Sequence, residues 1–264
     1  MTTTTRTARD AATMVRRNLR HQLRYLSVTV MLVATPIVFL LLFVYVLGGT
    51  LGAGLTDAGG GRQEYLAYVA PGVLLLAVAA IAQGTSISVA SDMTEGIVAR
   101  FRSMAISRAA VLTGHVGGAM LQTILGLVVV VLVALAIGLR PTAGALEWLA
   151  AFGVLALIAF ALTWLAVALG VVAKSVESAS NLPMFLLLLP FLGSGFVPTD
   201  SMPSGARWVA EHQPFTPFVE TVRGLLMGTP IGSSGVQTVA WCAAIAVGGY
   251  LLARTQYDRR SVVH

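Results

Sequence analysis

The chain has 264 residues, of which 56% are hydrophobic and only 11% are charged, and its formal net charge is +6. Soluble globular proteins carry about 25% charged residues, so this composition excludes an ordinary soluble domain and indicates an integral membrane protein. A positive net charge also suits nucleic-acid binding, but the distribution of the arginines along the chain favours a membrane.

The N-terminal tail is predicted to form a basic amphipathic helix between residues 7 and 26. Its apolar residues recur at helical spacing, and arginines occupy the remaining faces: Ala11, Val15, Leu19, Leu23 and Leu26, with Arg9, Arg16, Arg17, Arg20 and Arg24. Such a helix lies in the membrane interface and is attracted by anionic headgroups. The alternative is a solvated basic tail. The apolar run that follows is longer than the core of a signal peptide, so we expect it to be retained.

Six apolar runs are long enough to cross a bilayer, since a helical span needs roughly 20 residues. They are residues 28–47, 66–90, 111–139, 148–173, 181–197 and 236–253, and none contains a charged side chain. The sequence therefore predicts an all-α integral membrane protein with six transmembrane helices. Its predicted parts are a cytoplasmic tail with the interfacial helix at 1–27, a transmembrane domain at 28–253 and a cytoplasmic C-terminal tail at 254–264.

The basic residues near the span ends predict the orientation. Thirteen of the seventeen Lys and Arg residues lie on the side of the N-terminus, and the other side has four: Arg62, Arg140, Arg207 and Arg223. Cytoplasmic loops are enriched in Lys and Arg. We therefore expect a multi-pass protein of the cell membrane with both termini in the cytoplasm.

The sequence offers no nucleotide-binding or catalytic motif. The single lysine, Lys174, is followed by Ser175 but preceded by Ala173, so the phosphate-binding pattern G-x-x-x-x-G-K-[ST] is not formed. The histidines lack zinc-site spacing and are predicted to be surface or interfacial residues: His21, His115, His212 and His264. The only cysteine, Cys242, is expected to be a packing residue. We expect no metal, no cofactor and no enzymatic activity in this chain, which disfavours a membrane transferase or protease.

A charged island separates the second and third predicted spans. Residues 92–108 read DMTEGIVARFRSMAISR. Acidic residues stand near its start, where negative charge suits a helix dipole, and Arg108 stands at its end. Phe101, between two arginines, supplies an apolar side chain for a groove in a partner. The pattern alone leaves an ordinary positive-inside loop equally open.

The region that runs from the fifth predicted span towards the sixth is broken by prolines but rich in apolar residues. It includes Pro190, the run Gly193 to Pro198, and the run Val222 to Gly228. Prolines interrupt helical hydrogen bonding, and broken backbone at membrane depth is tolerated where it is buried in protein. The pattern predicts a pair of short re-entrant helices on the external side.

The charged island resembles, without a gap, the cytoplasmic loop between spans two and three of ABC-2 type transporter permeases. Its RFRSM core is most similar to the drug-resistance branch, although a proline is usual at the position of Ala105. The external Arg-Gly-Leu region is also similar to the re-entrant region of that family. The resemblance implies that residues 92–108 are a coupling helix seated on a separate ABC ATPase, which binds ATP and Mg. The implied coupling residues are Asp92, Glu95, Gly96, Arg100, Phe101, Arg102, Ser107 and Arg108.

The resemblance further implies an efflux permease that works with a second permease copy, either identical or related. Uncharged spans suit an amphipathic or hydrophobic substrate, drug-like or antibiotic-like; the alternative within the family is a lipid-linked glycan or another lipid. Candidate residues for lining the substrate pathway are Gln83, Gln122, Thr163, Asn181 and Phe196. Such polar residues also serve to cap backbone groups or to join helices, and that alternative stays open.

Overall fold

A computed structural model describes residues 13, 15–17, 26–53, 61–94 and 108–260, and every regular element within them is a helix. Residues 13 and 15–17 are helical, which agrees with a helical N-terminal tail. The rest of that tail lies outside the described residues. The long helices are α1 (Leu26–Leu42), α3 (Arg62–Thr94), α4 (Arg108–Ala136), α5 (Ala145–Val172) and α10 (Ser234–Arg260). The short ones are α2 (Gly48–Ala53), α6 (Val176–Asn181), α7 (Met184–Leu188), α8 (Ser204–His212) and α9 (Phe215–Met227), together with a π-helical turn at Phe43–Leu47 and a 3₁₀ turn at Thr199–Ser201.

Five helical segments in the described residues are long and apolar enough to cross a membrane. They are Val30–Ala53, Arg62–Thr94, Val111–Ala136, Ala145–Val172 and Ser234–Tyr257, and they correspond to five of the six predicted spans. The first consists of α1, the π-helical turn and α2.

The predicted span at 181–197 does not form one helix. Helix α6 ends at Asn181, α7 occupies only Met184–Leu188, and turns follow to Val197. Pro183 and Pro190 explain the interruptions, because a proline has no backbone N–H to continue the helical hydrogen bonds. This predicted span is therefore not confirmed as a single spanning helix.

Helix α3 lies at the centre of the bundle. It packs against α1, α4, α5, α6, α7 and α9, and its membrane-spanning segment is almost entirely buried. Small residues make this possible. At Gly170 of α5, a Cβ atom would stand only 2.5 Å from the carbonyl oxygen of Ser86 in α3. Helix backbones approach this closely only where side chains are small.

The bundle has two distinct ends, each marked by side-chain contacts. At one, which we call the Asp92 end, a buried apolar cluster joins the end of α3, the start of α4 and the ends of α5 and α10 through Val89, Leu112, Val171 and Tyr257. At the other, the Gln63 end, Gln63 Nε2 donates to the carbonyl of Gly138, 3.2 Å away. Helices α3 and α4 are therefore antiparallel neighbours that are joined at both ends.

The first span contains a π-helical turn at Phe43–Leu47. On the α1 side of the turn, Leu32 approaches Gly84 of α3. Beyond it, the guanidinium of Arg62 lies 5.0 Å from the centre of the Tyr45 ring, and Gly48 faces the stem of Arg62. A π turn accommodates an extra residue, so the two halves of the span present differently rotated faces to α3.

Candidate functional site

The predicted coupling segment is only partly described, and its two ends belong to the flanking helices. Asp92 lies in the last turn of α3, and Arg108 is the first residue of α4. Glu95, Gly96, Arg100, Phe101, Arg102 and Ser107 lie outside the described residues. Residues 95–107 of the predicted segment lie between the described ends of α3 and α4.

The sequence had suggested that Asp92 stands near the start of a helix, but it lies in the last turn of α3. Its carboxylate is buried. Only 8% of the residue is exposed. Arg17 Nη2 donates to both carboxylate oxygens at 2.8 and 2.9 Å, and His115 Nε2 lies 3.1 Å from Oδ2. We call Arg17, Asp92 and His115 the ion triad. A buried carboxylate requires such partners, because an unpaired buried charge is strongly destabilising.

The prediction that His115 is a surface or interfacial residue was wrong. The residue is 5% exposed and lies in the second turn of α4, facing the last turn of α3. Sequence analysis missed this contact because Asp92 and His115 are 23 positions apart, and that separation alone does not fix the register of the two helices. Arg17 and Asp92 are farther apart still, with a separation of 75 positions in the sequence.

A second contact seats the N-terminal helical residues on α4. At Gly117, a Cβ atom would come within 2.6 Å of Val15 Cγ2. Val15 and Arg17 thus reach α4 and the end of α3 from one short stretch of chain. The close approach involves Gly117, which lies within the Gly114 to Gly118 stretch of α4.

The five candidate pathway residues do not share one surface. Gln83 Nε2 donates to the carbonyl of Ser180 at 2.8 Å, so it joins α3 to α6. Thr163 and Gln122 are buried within the chain, and Phe196 is buried among other aromatic rings. Asn181 is exposed. It borders an open groove of about 520 Å³ lined by Val172, Ala173, Lys174, Ser178, Asn181 and Leu182.

Arg223 is the most deeply embedded arginine whose side chain is described, with 8% of the residue exposed. Its guanidinium donates to the carbonyl of Tyr68 at 3.0 Å, to the carbonyl of Ser194 at 2.7 Å and to the carboxylate of Glu220 at 2.7 Å. It also lies 3.9 Å from the centre of the Tyr68 ring, a cation–π distance. Helix α9 is thereby attached both to α3 and to the turns that follow α7.

The turns that follow α7 lie directly on α3. A Cβ atom on Gly72 would stand 2.6 Å from the carbonyl oxygen of Gly195, and the Tyr65 hydroxyl donates to the carbonyl of Phe196 at 3.2 Å. Since Gly195 follows Pro190 in the interrupted span, these contacts fix the irregular backbone against a regular helix. Some of the polar backbone groups of the turns are thus paired within the protein: the carbonyl of Phe196 accepts from Tyr65, and the N–H of Ser194 donates to Thr216 Oγ1 at 3.4 Å.

Aromatic rings of the first span pack against aromatic rings of these turns. Phe196 stacks on Phe191 with ring centres 4.4 Å apart, and Phe43 of the π-helical turn lies 4.7 Å from Phe196. Phe39 of α1 lies 5.8 Å from Phe191. This aromatic cluster joins the first span to the interrupted one, and it places Phe196 in a packing role within the single chain.

Within the part of the chain that the structure describes, no group of three or more His, Cys, Asp or Glu side chains is arranged to hold a metal ion. Cys242 is buried in the apolar core, as expected of a packing residue.

Comparison with known proteins gives a consistent result. The family model described as ABC-2 type transporter matches residues 9–227. The chain is 32% identical over 199 residues to the daunorubicin resistance ABC transporter permease protein DrrB1 of Streptomyces coeruleorubidus, covering 75% of this chain and 68% of that protein. It is 21% identical over 215 residues to a probable doxorubicin resistance ABC transporter permease protein, DrrC, of Mycobacterium tuberculosis, covering 81% of this chain and 76% of the relative.

Proposed function

Because the chain belongs to the ABC-2 type transporter family, we propose that it is the membrane subunit of an ATP-driven exporter that moves amphipathic or hydrophobic compounds out of the cell. The observation that carries the proposal is the similarity to drug-resistance permeases, which extends over three quarters of the chain. The same similarity gives no support to the alternative of a lipid-linked glycan.

The energy for export is proposed to come from a separate ABC ATPase. The sequence has no phosphate-binding motif of its own, and relatives in this family are permease subunits. The partner would bind ATP and Mg, and would seat the charged segment 95–107, while Asp92 and Arg108 stand on the helices that flank it. Movement of the ATPase would then reach α3, the central helix, directly.

We propose that the Asp92 end faces the cytoplasm. Lys174 follows α5 there, and Arg254 lies near the end of α10, while Arg62, Arg140 and Arg207 flank the opposite ends of the helices. This distribution follows the positive-inside rule. The charged segment would then lie on the side where an ATPase would find ATP.

Helices α8 and α9 are proposed to be the external re-entrant pair. Helix α9 has 13 residues, too few to cross a bilayer, yet Phe215, Phe218 and Val222 are fully buried. It packs against α3, α5 and α10 and ends at Gly228, whose φ of 68° suits a glycine. A short helix buried at this depth supports a path that enters the membrane and returns.

We propose that two permease copies form the working unit. Each chain supplies one charged segment between α3 and α4, whereas the ABC ATPase acts as a pair. Apolar side chains also remain exposed on and after α7, namely Met184, Phe185, Leu188 and Leu192, where lipid or a second copy would cover them. A related permease in place of the identical copy is the alternative.

The test is reconstitution. The chain is purified with the ABC ATPase that co-purifies from its native membrane, and both are placed in lipid vesicles with a fluorescent amphipathic drug. We expect ATP-dependent drug movement that a hydrolysis-deficient ATPase abolishes. The absence of any co-purifying ATPase, or transport that does not depend on ATP, would overturn the proposal.

A further inference from the structure

The ion triad joins three parts of the chain that are far apart in sequence. Arg17 comes from the N-terminal helical residues, Asp92 from the last turn of α3 and His115 from the second turn of α4. We propose that this triad is a positioning device that makes α3, α4 and the N-terminal helix move as one body when the ATPase pushes on segment 95–107. This inference rests on the proposed function. It means that these three residues determine how much substrate is transported for each ATP hydrolysed.

Burial distinguishes the triad from an ordinary ion pair on the surface. The side chains of Arg17, Asp92 and His115 are 32%, 11% and 4% exposed. By contrast, Arg207 and its partners Asp200 and Glu211 are between 43% and 83% exposed. Exposed pairs contribute little because water and salt screen them. A buried carboxylate, in contrast, holds its partners firmly, since separation would leave its charge without compensation.

The position of the triad suits transmission. Asp92 and His115 stand on the helices that enter and leave segment 95–107, and their contact joins those helices beside it. At the far end, Gln63 joins α3 to Gly138 after α4. Between these points, Ile81 of α3 approaches Gly126 of α4 closely. The two helices are therefore held together along their length, so a push at one end is carried to the other.

Arg17 adds the N-terminal helix to this pair. Its two hydrogen bonds fix the angle of its side chain on Asp92, and Val15 contacts α4 at Gly117. A basic amphipathic helix in the interface would resist displacement from the membrane surface. Because this helix is fixed to α3 and α4, the ATPase would move the three helices together.

A metal site is a poorer interpretation of the same residues. Asp92 and His115 offer two ligand side chains, whereas structural zinc sites use four and catalytic ones three. The guanidinium of Arg17 occupies both carboxylate oxygens and would repel a cation. The geometry favours a closed, self-satisfied contact.

The test compares Arg17→Ala and Asp92→Asn with a matched control, Arg16→Ala. Arg16 is the adjacent arginine and its side chain is exposed, so the control removes the same charge without breaking the triad. In vesicles containing the chain and its co-purified ATPase, we expect both triad variants to retain the ATPase and to hydrolyse ATP. Drug moved per ATP hydrolysed should fall about fivefold or more, the range of typical coupling between sites. The control should match the parent chain.

Two further variants separate a charge contact from general loss of structure. Arg17→Lys keeps a positive group and should recover most of the transport per ATP that Arg17→Ala loses. The double variant Arg17→Ala/Asp92→Asn should be no worse than Asp92→Asn alone, because residues acting through one contact are not additive. Additive losses, or a lysine variant as poor as alanine, would overturn the proposal.

A second readout remains valid even if a variant inserts poorly. A single cysteine replaces Ser103 in a chain whose Cys242 is changed to alanine, and its labelling by a thiol reagent is followed in inside-out vesicles. Arg17→Ala should speed labelling several-fold per inserted molecule, and Arg16→Ala should not. Equal labelling rates would overturn the triad proposal. Failure of the parent chain to transport at all would overturn the proposed function instead.

Discussion

Arg223 and Ser194 are joined by a hydrogen bond of 2.7 Å between a buried guanidinium and a backbone carbonyl. The bond connects helix α9 to the turns that follow α7. Because the same guanidinium also reaches the carbonyl of Tyr68 in α3, one side chain holds two short elements and the central helix together. The half of the bundle that includes the Gln63 end therefore depends on this side chain for several of its contacts.

Replacement of Arg223 by alanine should destabilise the half of the bundle that includes the Gln63 end. Buried carbonyls would lose a charged donor, and hydrogen bonds to charged groups are each worth about 1.5–3 kcal/mol. We expect a loss of about 2–4 kcal/mol in the free energy of unfolding, seen as a lower melting temperature of the purified chain in detergent. Arg207→Ala is the matched control, because Arg207 is exposed. An Arg223→Ala melting curve that overlays the control would contradict the assigned role.

Replacement of Gly72 by alanine should separate the turns that follow α7 from α3. The new methyl group would stand 2.6 Å from the carbonyl oxygen of Gly195, so backbone has to move, and overpacking of this kind costs about 1–3 kcal/mol. Gly153→Ala is the control, since a Cβ atom there meets nothing within 4 Å. It should be neutral or slightly stabilising, as alanine suits a helix interior better than glycine. Thermal unfolding measured on both variants decides the matter, and equal stability would refute the close contact.

Replacement of Phe101 by alanine, or of Arg102 by glutamate, should uncouple transport from ATP hydrolysis. The first removes an apolar anchor, and the second introduces a repulsive or unpaired charge, at a contact where such changes cost several kcal/mol in other complexes. Drug-stimulated ATPase activity and efflux should both fall, while the membrane level of the chain stays normal. Unchanged efflux in both variants would mean that the segment serves only as a topology signal.

Thiol labelling of intact cells should report the orientation. In a chain with Cys242→Ala, single cysteines are introduced by Gly60→Cys, Ser204→Cys and Arg100→Cys. An impermeant reagent should modify the first two and leave the third unmodified until the membrane is opened. Modification at position 100 in sealed cells would reverse the proposed topology and remove the basis for ATPase docking there.

The long spans were readily predicted from the sequence, because uncharged runs of this length have few alternatives. The interruption at 181–197 was predicted only in part, because Pro183 and Pro190 marked the region as broken while the run was still counted as one of six spans. Its apolar composition suggested a membrane helix, but the number of missing backbone donors decides whether one continuous helix forms. The hydrophobicity of a segment thus predicts whether it lies in the membrane better than it predicts whether the segment forms one continuous helix.

Contacts between distant residues were beyond prediction. The Arg-Gly-Leu motif drew attention to Arg223, but nothing in the pattern indicated that its side chain points inward. His115 was assigned to a surface, because pairing with Asp92 requires the relative rotation of α3 and α4. That rotation depends on packing of the whole bundle, including Gly117 against Val15. The coupling residues between 95 and 107 lie outside the described residues and remain a prediction.

The π-helical turn at Phe43–Leu47 is a place where the first span can lose a residue without turning about its own axis. A π turn holds one residue more than regular helix would hold over the same length, and each residue of an α-helix advances about 100° around the axis. Deletion of one residue within the turn would therefore return it to regular helix and leave the faces on either side where they are. A deletion between Leu32 and the turn would instead rotate the residues that precede it, and Leu32 would leave Gly84. Among related chains, a gap in an alignment should fall at this turn more readily than within α1 or α2.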